Sequence, residues 1–84
     1  MNSNARRILN AIYANPVNRN LSWQDVEMLF VSLGAILREG AGSRIKFELG
    51  PHIISFHRPH NPATARTYQI KQIRKFLSEL GIRP

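Results

Sequence analysis

The sequence predicts an α+β fold in which a three-stranded antiparallel sheet carries its helices on a single face, in the order α-α-β-β-β-α. Three observations lead there. Apolar residues recur at helical spacing in three segments; the period drops to two between Ala35 and His57; and short turns rich in Gly, Pro and Asn separate the segments.

Asn2 and Ser3 can cap a first helix over residues 4–14, whose apolar face is Ile8, Leu9, Ile12 and Tyr13. Arg6 and Arg7 near its start oppose the helix dipole, so helix stability is not what they serve. The run Asn15-Pro16-Val17-Asn18 ends this helix. Ser22 opens the second, with Asp25 at N3 in a capping-box-like arrangement. Val26, Leu29, Phe30 and Leu33 follow the i, i+3, i+4, i+7 rule, and Gly34 stands where a left-handed C-terminal cap belongs.

Residues 35–39 read as a first strand, closed by the turn Gly40-Ala41-Gly42-Ser43. Arg44 to Leu49 alternates charged and apolar residues without exception, which predicts a strand with one buried face. Gly50-Pro51-His52 reads as a turn and residues 53–57 as the third strand, with Ile54 and Phe56 on one face and Ser55 and His57 on the other. Pro59 keeps Arg58 extended. A last helix begins at Arg66 or Thr67, buries Ile70, Ile73, Leu77 and Leu80, and ends at Gly81, with Lys71, Arg74 and Lys75 on its outer surface.

Eighty-four residues have room for one small domain, residues 1–84. No stretch approaches the ~20 apolar residues of a membrane span, and no signal-peptide pattern stands at the N-terminus, so no membrane partner is expected and the expected location is cytoplasmic. The absence of cysteine excludes a disulfide scaffold, thiol chemistry and Cys-based zinc sites. Twelve Lys and Arg against five Asp and Glu leave a formal charge of +7, which points to a polyanion partner, nucleic acid or an acidic protein.

Four patterns bear on chemistry. Gly40-Ala41-Gly42-Ser43-Arg44 is either an ordinary hairpin turn or a place where Ser43 and Arg44 meet a phosphate oxygen; it lacks the Walker A spacing. His52, His57 and His60 fall within nine residues. Only Glu48 lies near enough to complete a metal set, so no metal and no cofactor are expected. Acid–base work fits better, since imidazole takes and gives protons near neutrality. Metal-independent RNA cleavage needs a base for the ribose 2′-OH, an acid for the leaving 5′ oxygen and cations for the phosphorane. His57 and His60, with Arg44 or Arg58 beside them, supply those groups; the alternative is that either histidine is a solvated structural residue. His52, in a turn, reads as structural. Lys71, Arg74 and Lys75 are either a solvated helix face or phosphate contacts, and Trp23, Tyr13 and Tyr68 are either core aromatics or base-stacking platforms.

Gly42-Ser43-Arg44-Ile45-Lys46-Phe47, Phe56-His57-Arg58-Pro59-His60, and the run from Ile70 to Gly81-Ile82 together resemble the HicA family of bacterial toxins. The resemblance extends from about residue 22 to residue 82, leaving residues 1–21 as an N-terminal helical extension of a 22–82 core. It implies a double-stranded-RNA-binding-like α-β-β-β-α fold, cleavage of mRNA as an mRNA interferase, and a HicB antitoxin that masks the active site. The family motif usually reads Gly-Ser-His, and its His is regarded as catalytic; this sequence has Arg44 there. Arginine stays protonated at physiological pH, so it cannot act as a base, but it can grip a phosphate bidentately. The acid–base pair expected here is therefore His57 and His60 with Arg44 as a third catalytic group, and Ser43, Lys46, Arg58, Lys71, Arg74 and Lys75 are the expected RNA contacts. A non-catalytic RNA-binding module of the same fold, or a family member kept for protein contact, are the alternatives that Arg44 leaves open.

Overall fold

The computed structural model describes Met1–Pro84 and holds three helices and one sheet: α1 (Ser3–Tyr13), α2 (Trp23–Ser32), β1 (Ile36–Glu39), β2 (Arg44–Leu49), β3 (His52–His57) and α3 (Thr67–Glu79). The sheet is an antiparallel meander ordered β1-β2-β3, so β2 is central and both neighbours are edge strands. The fold is α+β, in the predicted order and of the double-stranded-RNA-binding type.

Local chemistry sets the helix limits. The Asn2 side chain accepts from the Ala5 N–H at 2.7 Å and starts α1 one residue before the expected position. Ser22 Oγ accepts from the Asp25 N–H at 3.1 Å, the cap that sequence reading assigns it. Helices α2 and α3 end alike: Gly34 and Gly81 take positive φ, and Ala35 and Ile82 donate back to Phe30 and Leu77 in Schellman fashion. One correction concerns His52. It pairs with Leu49 inside the β2–β3 ladder, so the turn is only Gly50-Pro51 and His52 is the first residue of β3. A two-residue loop is the commonest hairpin connection, and it frees the residue that a longer turn would claim.

Alternation along β2 puts Ile45 and Phe47 on the helix-covered face with Phe56 of β3. Phe47 stacks on Phe30 of α2 at 4.1 Å between ring centroids, and Trp23 meets Phe56 edge-on at 5.5 Å. Trp23 is therefore a core residue, 4% exposed. Helix α1 contributes Ala5, Ile8, Leu9 and Ile12 to the same apolar cluster. No helix is long and apolar enough to cross a membrane.

Candidate functional site

The opposite sheet face has no helix on it. Arg38, Arg44, Lys46, Ser55 and His57 alternate onto it, opposite in sense to Ile45, Phe47 and Phe56. The ladder puts Arg44 directly across from His57, and Lys46 across from both Ser55 and Arg38. The Arg58 N–H donates to the Ser43 carbonyl at 2.8 Å, which makes 43/58 a hydrogen-bonded pair and 44/57 a non-hydrogen-bonded one. Side chains stand closest in such pairs, with Cα atoms about 4.5 Å apart. Guanidinium and imidazole are therefore neighbours by backbone geometry. Ser43 Oγ lies 3.3 Å from His57 Nδ1, leaving Nε2 free. An open groove beside them is lined by Arg38, Arg44, Lys46 and Ser55, together with Glu39 and the turn residues Gly40 and Ala41. A second groove, between β3 and α3, is lined by Ile54, Ser55, Gln72, Lys75, Phe76 and Glu79, so the two meet at Ser55.

At the far end of the face the chemistry changes. Ile36 and Ile53 flank Glu48 in register and are 54% and 53% exposed. Glu48 also accepts from Arg38 Nε at 2.7 Å.

The remaining predicted site residues are placed differently. His60 lies past buried Pro59 on the loop to α3, with an exposed side chain and its carbonyl held by Arg66 at 2.9 Å. That loop is pinned near its far end: Ala65 donates to Leu21 at 2.8 Å, and Trp23 donates to Ala63 at 3.0 Å.

Arg58 turns into the protein, not onto the open face. Its Nε donates to Glu27 of α2 at 2.7 Å, and NH1 donates to Glu39 at the end of β1. The Glu27 hydrogen bond first, then that of Glu39, raises the guanidinium pKa above its ordinary value, against a smaller opposing effect of burial. With two carboxylates on it, Arg58 has little attraction left for phosphate.

Arg74 is also engaged. Nε and NH2 donate to the carbonyls of Ile12 and Ala14 at 3.0 and 2.9 Å. A helix C-terminus leaves its last carbonyls without intrahelical donors and favours a cation, which explains where Arg74 goes. Lys71 and Lys75 stay exposed on α3.

Gln69 is the residue that sequence reading overlooks. It is 1% exposed, donates from Nε2 to the His57 carbonyl at 3.0 Å, and accepts at Oε1 from the Arg66 N–H at 2.9 Å. The available signal was its place on the apolar stripe of α3, beside Ile70 and one turn before Ile73.

A family model described as HicA toxin of bacterial toxin-antitoxin matches residues 23–82, from the first residue of α2 to the residue after Gly81. Neither the curated proteins nor the solved structures include a match to the chain.

Proposed function

The chain belongs to the HicA toxin family, and from that membership we propose that this toxin of a bacterial toxin–antitoxin system is a metal-independent endoribonuclease. In this reading it cuts mRNA in the cytoplasm, arrests translation, and is neutralised by a HicB-like antitoxin. The observation that carries the reading is the cross-strand pairing of Arg44 with His57 on the open sheet face.

The chemistry follows from that pair. With Nδ1–H donating to Ser43, the Nε2 lone pair of His57 takes the proton of a ribose 2′-OH. The freed 2′ oxygen attacks the adjacent phosphorus, and the bond to the 5′ oxygen breaks. His60, on the adjoining loop, is the acid assigned to protonate that 5′ oxygen. Arg44 holds two phosphate oxygens and stabilises the phosphorane charge, which a permanent cation does without any proton transfer of its own. Lys46 beside it, and Lys71 and Lys75 on α3, hold flanking phosphates.

The antitoxin is assigned to the same open face. Ile36 and Ile53 offer apolar anchors at one end, and Arg44 and Lys46 attract carboxylates at the other. Residues 1–21 act as a helical extension packed on the 22–82 core.

Purified protein incubated with RNA in the presence of a chelator tests the reading. Cleavage should proceed and leave 2′,3′-cyclic phosphate ends. His57→Ala should slow it by roughly 10²- to 10⁴-fold while RNA affinity stays within about threefold. Salt-dependent binding without any cleavage by the unmutated protein would replace the nuclease with a non-catalytic RNA-binding module, the reading that Arg44 in the family's His position favours.

A further inference from the structure

Gln69 is a buried polar residue on a helix face that otherwise contributes Ile70, Ile73 and Leu77 to the core. An apolar side chain there would avoid the cost of desolvating an amide. The amide is instead used at both ends, and its two partners belong to different elements. One is the N–H of Arg66 at the start of α3; the other is the carbonyl of His57 at the end of β3.

The ladder explains why that carbonyl needs a donor. In a non-hydrogen-bonded pair the backbone groups point away from the partner strand. Because β3 is an edge strand, the His57 carbonyl points toward no further strand. Gln69 Nε2 supplies the missing donor. His57 is thus restrained at three points: its carbonyl by Gln69, its ring Nδ1 by Ser43, and the following peptide N–H by the Ser43 carbonyl.

We propose that Gln69 is a positioning residue which, through the His57 carbonyl, fixes the His57 ring against Ser43 and beside Arg44 for proton abstraction. This rests on the reading of His57 as the base. Gln69 also accepts from the Arg66 N–H as a residue at N3 of a capping box does, so its two roles must be separated.

Gln69→Glu separates them. A carboxylate keeps the acceptor for the Arg66 N–H but has no N–H for the His57 carbonyl. Gln69→Met removes both contacts at similar length. Three quantities are read: kcat and KM for RNA cleavage, the ring ¹⁵N shifts of His57 that report its tautomer, and exchange of the Gln69 side-chain amide protons in the unmutated protein. Both variants should lose roughly 10- to 100-fold in kcat with KM changed less than about twofold. The His57 shifts should move toward those of a free imidazole, and the Gln69 amide protons should exchange slowly.

Fast exchange of those protons overturns the proposal even if neither variant folds. Unmoved His57 shifts and parental kcat in Gln69→Glu overturn it, and so does a loss confined to KM. If the unmutated protein cuts no RNA, or His57→Ala cuts as well as the parent, the nuclease reading fails separately. The His57 shifts then still decide whether Gln69 orients the ring.

Discussion

Arginine does opposite work in two regions of this molecule. On the open sheet face Arg38 pairs with Glu48, but Arg44 forms none of the four ion pairs and stands beside His57 and Lys46. Where the helices meet each other and the sheet, Arg58, Arg66 and Arg74 direct their guanidinium groups at carboxylates and carbonyls of the protein itself. A formal charge of +7 is therefore unevenly available. Four of the five acids, Asp25, Glu27, Glu39 and Glu48, are already paired with Arg7, Arg58 and Arg38. What an approaching anion would meet is set by which cations the fold leaves unpaired.

The contrast breaks most visibly at Arg44 and Arg74. Arg44→Ala should cut the cleavage rate by roughly 10- to 100-fold, the loss of a charge-assisted contact of about 1.5–3 kcal/mol, with little change in melting temperature. Arg74→Ala should do the reverse. It leaves the carbonyls of Ile12 and Ala14 without that donor, and a loss of about 1–3 kcal/mol lowers Tm by several degrees in a chain this size. Equal effects of the two substitutions on RNA cleavage would erase the distinction.

Arg58→Ala sharpens it at smaller amplitude. Destabilisation of roughly 1–2 kcal/mol is expected because the clamp is partly solvated. The pH dependence has a definite sign. A raised guanidinium pKa gives stability that is complete below the unfolded value and lost only as pH climbs through the folded one. Both lie above physiological pH, so Arg58 deprotonation makes no contribution to the difference in Tm between parent and variant from about pH 6 to 9. A difference that shrinks across that range would show that the clamp does not depend on the charged guanidinium as described. The smallest effect belongs to Lys71 and Lys75. Removing either should reduce the slope of log K against log salt by about 0.7, without changing Tm.

Much of the scaffold was legible because its causes are local. Ser22 before Asp25, Gly34 after Leu33, and strict alternation from Arg44 to Leu49 each act within a few residues, and each lies where it was expected. The sequence leaves Trp23 between core and base-stacking readings, and its packing against Phe47 and Phe56, more than twenty residues away, decides for the core. The employment of Arg58 and Arg74 was not legible. Their partners lie between 19 and 62 residues away, and nothing at their own positions distinguishes them from Arg44. Gln69 was hidden in the same way, since an edge-strand carbonyl seeking a donor exists only once β3 and α3 are side by side. The Arg44–His57 juxtaposition lies between these cases. Two alternating strands were visible, but their facing required the hairpin register, and the sequence assigned His52 to the turn that sets it.

The segment after β3 has a consequence for how this site could change over time. Arg58 is tied to Ser43 and Ala65 to Leu21, and between them Arg66 holds the His60 carbonyl and Trp23 the Ala63 carbonyl, so the arc carrying His60 is fastened at both ends and along its length. Its length acts as a ruler. Adding or removing a residue within the arc would shift His60 relative to His57 without altering the pairing of β2 with β3. Loop length is thus a coordinate that sets the spacing of the two histidines separately from the strand register.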